Sequence, residues 1–116
     1  LRVAQGRAVN DYIGTSVQWQ SHSKQAGQSL WLLLVEALPA GTEGSPVARL
    51  LVRNSLNLDL PGPGAKPWRD LRAMRIPEGA NPERLRLLGW VQDAQGRMLA
   101  ISETVCKNDP ETGAGR

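Results

Sequence analysis

With 116 residues, 41% hydrophobic and 22% charged, the chain is long enough to bury a core without disulfide or metal staples, and its composition is not that of a disordered segment. The longest wholly apolar run, Leu30 to Val35, is far too short to cross a bilayer as a helix, so no transmembrane segment is expected. The formal net charge is +3 and 11 of the 14 basic residues are Arg, but they are scattered and interleaved with acids. That distribution describes a solvated surface better than the clustered stripe of a nucleic-acid footprint.

Leu1 to Val9 carries a weak alternation broken by Gly6, and Asn10-Asp11 punctuates it. Tyr12 to Gln20 then sets Ile13, Thr15, Val17 and Trp19 against Gly14, Ser16, Gln18 and Gln20, a period-two pattern that predicts a half-buried strand. Ser21 to Ser29 is polar and reads as a loop. Leu30 to Val35 is apolar on both faces and, between Gly27 and Pro39, predicts a central strand. Pro39 to Pro46 is a loop.

From Arg49 to Leu60 the alternation puts Leu50, Val52, Asn54, Leu56, Leu58 and Leu60 on one face of a long strand. Asn54 interrupts that face and marks the place for a bulge or bend. Pro61 to Pro67 is a stiff inter-strand loop. Trp68 to Ile76 fits a helical face and a strand face almost equally. With strands on both sides it is read as an extended edge strand guarded by Arg69, Arg72 and Arg75. The clearest local signal comes last. Two apolar-rich runs, Leu85 to Gln92 and Met98 to Val105, flank Asp93-Ala94-Gln95-Gly96, which predicts a β-hairpin with Gly96 in the left-handed region. Leu85, Leu87, Val91, Leu99, Ile101 and Val105 are expected to face its core side, with Trp90 covering a sheet edge.

Six or seven short strands with Pro/Gly loops and no convincing helix predict an all-β fold, an antiparallel immunoglobulin-like β-sandwich, with a small β-barrel as the alternative. Residues 1–106 are expected to form one domain and 107–116 a flexible tail. Because the chain starts at Leu1, it is expected to be a mature product or an excised domain.

Sites for chemistry are scarce. His22 lies in a polar loop with no acid nearby in sequence, and Gly62-Pro-Gly64 has prolines where a phosphate cradle needs amide donors. Glu36/Glu43 and Glu78/Glu83 are expected to be solvated loop acids, and Asp109 and Glu111 make no calcium site. Cys106 is the single cysteine and cannot form an internal disulfide. It is read as a buried structural thiol, or as an interdomain thiol bonding a segment outside this chain. No cofactor, metal or catalytic residue set is expected. Arg49, Arg53, Arg72 and Arg75 are the candidate binding contacts.

Leu30-Trp-Leu-Leu-Leu-Val-Glu36, Ala48-Arg-Leu-Leu-Val-Arg-Asn54 and Pro82-Glu-Arg-Leu-Arg-Leu-Leu-Gly-Trp-Val-Gln-Asp93 together resemble the C-terminal β-rich portion of the DUF1223 family. Those are secreted or periplasmic bacterial proteins in which a thioredoxin-like domain precedes that portion. Val52-Arg53, Trp90-Val91-Gln92 and Cys106 match the family's Val-Arg, Phe-Val-Gln and terminal Cys. The family's Gly-Glu-Asn loop is replaced by Thr42-Glu43-Gly44-Ser45, its His falls at Ala48 or Arg49, and no Cys-x-x-Cys is present. The resemblance, over about residues 30–106, implies an accessory sandwich without redox activity. The expected function is therefore a non-enzymatic binding or scaffold module of a bacterial cell-envelope protein, periplasmic or secreted, contacting a protein partner or adjacent domain. The alternative function is a nucleic-acid-binding β-barrel using surface Arg, and the alternative location is the cytoplasm.

Overall fold

Alternation becomes pairing in the computed structural model, which describes residues 1–21, 26–61 and 67–104. The strands are β1 (Arg2–Val9), β2 (Tyr12–Trp19), β3 (Ser29–Leu38), β4 (Arg49–Asp59), β5 (Trp68–Arg75), β6 (Leu85–Gln92) and β7 (Met98–Glu103). One sheet has the order β1-β2-β5 and the other β4-β3-β6-β7, every ladder antiparallel. The two are not joined into a barrel, so the fold is the sandwich. Helical geometry among the described residues is confined to two short 3-10 turns, Thr42–Gly44 and Pro82–Arg84.

The turns follow from their residues. Asn10 and Asp11 both take positive φ, 50° and 66°, the geometry of a two-residue hairpin loop that twists with its strands. In the β6–β7 loop Gly96 has φ 81° and its N–H donates to the Asp93 carbonyl at 2.9 Å, closing a turn that ends in a left-handed Gly. Trp68–Arg75 is indeed extended, and it forms the edge of the three-stranded sheet. Asp70 and Arg72 on it point toward the other sheet and pair with each other at 2.7 Å, charges turned inward on an edge strand.

The core lies between the sheets. Val3, Ile13, Val17 and Met74 come from one side and Leu30, Leu32, Leu34, Leu85, Leu87 and Val91 from the other. Gly89 sits where the sheets come closest: a Cβ there would lie 3.1 Å from a Val3 methyl and 3.3 Å from a Leu32 methyl.

Three expectations need correction. The apolar row of β4 does not stay on one face. A bulge opposite Leu34/Val35 leaves Arg53 as the extra residue, so Leu56 and Leu58 pack on the core while Leu50 and Val52 face water. In β7 the register pairs Trp90 with Ile101, and another bulge falls at Leu99, so both apolar residues point away from the core and Ala100, paired with Val91, points in. Glu36 is no loop acid; it is buried near the end of β3. Val105, expected on the core side, lies outside the described residues.

Packing at Gly89 gives a contrast. Gly89→Val should lower unfolding free energy by about 1–3 kcal/mol through overpacking. Gly14→Ala, where a Cβ would meet nothing within 4 Å, should be neutral or slightly stabilising. Urea denaturation checks both, and equal effects at the two positions would contradict the close approach at Gly89.

Candidate interaction surface

The outward face of the four-stranded sheet follows from the ladder registers. Its rows run Asp59–Ser29–Gln92–Met98, Asn57–Trp31–Trp90–Ile101, Ser55–Leu33–Leu88–Glu103 and Val52–Val35–Arg86, with Leu50 beside Ala37 beyond. Paired residues in an antiparallel ladder share a face, so these side chains lie together. The middle is apolar: Trp31, Leu33, Val35, Leu88 and Trp90, extended by Val52 and Leu50 on β4 and Ile101 on β7. Val52 is 59% exposed and Ile101 58%.

Trp31 and Trp90 organise the patch. Their ring centroids are 6.2 Å apart with planes inclined by 22°, a stacked cross-strand pair of the kind worth about 0.5–1.5 kcal/mol beyond area burial. Trp90 Nε1 donates to Gln92 Oε1 at 3.2 Å, which holds the indole flat along its strand. Three rows about 7 Å apart on four strands about 4.8 Å apart span on the order of 400 Å², a share of which belongs to Asn57, Ser55, Glu103 and Arg86, while Val35 is covered by its neighbours. Contiguous exposed apolar patches on a monomer are often functional. Trp90 therefore lies in the middle of a face and does not cover an edge.

The candidate arginines do not form one site. Arg53 reaches into the sandwich: its Nε and Nη2 both donate to Glu36 Oε1, at 2.8 and 2.7 Å, and Glu36 is only 3% exposed. The bulge that makes Arg53 the extra residue turns it to this inner side, away from Asn57 on the outer face. Arg72 is held by Asp70 on the opposite sheet. Arg53 and Arg75 do meet, lining a shallow depression of about 330 Å³ with Asn54, Pro77 and Glu78. Asn54 Nδ2 donates to the Arg75 carbonyl there at 3.0 Å. Arg49 lies at another depression, with Leu38, Pro39 and Arg86. With Arg53 and Arg72 held by Glu36 and Asp70, and the four dispersed over both sheets, they give no continuous basic track. Cys106, His22 and Gly62–Gly64 lie outside the described residues. Among the described residues no three His, Cys, Asp or Glu cluster as a metal site would require.

The outward apolar row was visible in the sequence: Trp31, Leu33 and Val35 alternate with the core leucines in a strand apolar on both faces. Which of the two rows faced out was not.

The β6–β7 loop beside this face is stiffened by Asp93. Its Oδ1 accepts from the N–H of Arg97 at 2.9 Å and of Gln95 at 3.0 Å, and its Oδ2 from Arg97 Nε at 2.8 Å. The Arg97 backbone N–H first, and then the Arg97 side chain and the Gln95 N–H, hold the Asp93 carboxyl below the ordinary aspartate range, against the cost of removing it from water. Comparison with known proteins gives no match: no family model, curated protein or solved structure corresponds to the chain.

Two measurements check this electrostatics. Arg53→Met strands the Glu36 carboxylate in the interior and should cost about 3–5 kcal/mol, whereas Glu36→Met/Arg53→Met should recover most of it. An additive double variant would contradict a coupled pair. Because the folded value of Asp93 is depressed, its contribution is complete above the ordinary value near 3.8 and is lost as pH falls through the folded value. The stability gap between wild type and Asp93→Asn should shrink below pH 4, by urea titration; a gap constant from neutral to acid pH would contradict the assignment.

Proposed function

We propose that the chain is a non-enzymatic binding module that seats a protein partner or adjacent domain on the outward face of its four-stranded sheet. The observation carrying this reading is the Trp31–Trp90 stack among Leu33, Val35, Leu88 and Ile101, ringed by Asp59, Gln92, Glu103 and Arg86. An apolar centre rich in Trp with a polar rim is the anatomy of a protein interface. Its occupant is a protein surface with an apolar centre and a polar rim.

The strand order β1-β2-β5 over β4-β3-β6-β7 supports an immunoglobulin-like topology, in which binding surfaces on a rigid sandwich are common. Placement in a bacterial cell envelope belongs to the same proposal and is supported by the resemblance of residues 30–106 to secreted sandwiches. Nucleic-acid binding is the weaker reading, because Arg53 and Arg72 are engaged by Glu36 and Asp70. Single-strand platforms also require aromatic residues in a basic groove, and the Trp stack has only Arg86 in its rows.

A photo-crosslinking amino acid introduced at Leu33 or Ile101 in the native host should capture one defined protein, and one introduced at Ser16 on the opposite sheet should not. Leu33→Glu should then weaken the purified complex by tenfold or more. Capture at Ser16 alone, or salt-sensitive binding of single-stranded nucleic acid lost on Arg49→Glu/Arg53→Glu, would overturn the proposal.

A further inference from the structure

The outward rows of the four-stranded sheet carry three charged side chains among the described residues: Asp59 on β4, Arg86 on β6 and Glu103 on β7. Arg86 already has an interaction of its own. The Asp59 and Glu103 carboxylates are exposed and have no hydrogen-bond or ion-pair partner among the described residues. Glu36, Asp70 and Asp93, by contrast, are each held by an arginine. The charge this face offers a partner is therefore negative, although the chain as a whole is formally +3.

Glu103 differs from Asp59 in what lies beside it. From Ala100 to Glu103 the β6–β7 ladder is regular, pairing Ile101 with Trp90 and Glu103 with Leu88. Leu88, Ile101, Ser102 and Glu103 line a depression of about 240 Å³ at this side of the Trp pair. Leu88 and Ile101 give it apolar walls, and Glu103 sets a carboxylate at the rim. A hydrocarbon stem ending in a cation matches that arrangement, because Lys and Arg lay their methylenes on apolar surface and keep the charged head outside it. A neutral side chain seated there would draw Glu103 out of water without a counter-charge, and an acidic one would meet like charge.

We infer, on the basis of the docking reading above, that the protein seated on this face inserts a lysine or arginine side chain between Leu88 and Ile101. Its methylenes rest on those two residues and its cationic head meets the Glu103 carboxylate. The partner's apolar centre is thus flanked by basic groups. Asp59 lies diagonally across the Trp31–Trp90 pair, two rows and three strands from Glu103, which is about 20 Å by ladder spacing. It offers a counter-charge to a second basic group of the same partner. Opposite charges at two corners fix the orientation in which the partner settles over the Trp pair.

The test uses the full chain in the native host, with the photo-crosslinking amino acid at Leu33 as the reporter of docking. Glu103→Lys should cut the captured yield on the order of tenfold or more, and Glu103→Gln by a smaller factor. Asp11→Asn removes one negative charge from the β1–β2 turn, keeps a residue suited to positive φ, and should leave the yield unchanged. With the crosslinker at Ile101, the attached partner peptide should carry a Lys or Arg beside the attachment point. Replacing that residue by Glu should restore capture by the Glu103→Lys chain, which a variant that merely failed to fold could not show. Undiminished capture by Glu103→Lys, an equal loss on Asp11→Asn, or a partner peptide without a basic residue at Ile101 would each overturn the inference and leave the docking face standing. No capture at Leu33 in the otherwise unchanged chain would instead overturn the docking reading itself.

Discussion

A strand apolar on both faces has to be covered on both faces, and that constraint on β3 governs this molecule. Leu30, Leu32 and Leu34 face the other sheet and are fully buried. Trp31, Leu33 and Val35 alternate with them and face outward, where, among the described residues, neighbours in the same sheet bury Val35 and leave Trp31 and Leu33 half-buried. Fully burying a side chain of this size is worth about 1.5–3 kcal/mol. The outward row realises part of that through Trp31 on Trp90 and through flanking Val52, Leu88 and Ile101. The rest of its apolar surface is still in contact with water, which is the physical basis for reading this sheet as the interacting one.

The bulge in β4 has the second largest consequence. By making Arg53 an extra residue it reverses the strand's phase halfway along. Leu56 and Leu58 stay in the core, Leu50 and Val52 are added to the outer patch, and Arg53 turns inward to neutralise Glu36. One backbone irregularity thus enlarges the apolar face and satisfies a buried charge. A buried ion pair is poor evidence of net stability. Here it locks the phase reversal, because straightening β4 would withdraw the guanidinium from Glu36.

Much of the architecture was legible in the residues. The strands of the β6–β7 hairpin, the Gly96 turn and the edge position of Trp68–Arg75 follow from alternation, turn chemistry and charge, and Asn54 flagged the β4 irregularity. What alternation cannot supply is the sense of each face, because a period of two divides residues into two rows without saying which is inside. Alternation thus puts Leu99 and Ile101 on the core side, although pairing with Trp90 takes Ile101 out. The Glu36–Arg53 pair was hidden for a related reason: it depends on a bulge whose effect on phase is set by the partner strand. The arginines looked alike in sequence and differ in the fold, two of them being engaged by carboxylates on different sheets.

The central claim is that the outward face of the four-stranded sheet, and not that of the three-stranded sheet, is occupied in the protein's working state. Hydroxyl-radical footprinting compares the two directly, because Trp31, Trp90 and Met98 report on one sheet and Tyr12 and Leu71 on the other, all within one chain. The account predicts that Trp31 and Trp90 are oxidised readily in the purified chain and protected in the native host, while Tyr12 and Leu71 react alike in both. Equal oxidation of the two Trp in both settings, or protection confined to Tyr12 and Leu71, would contradict it.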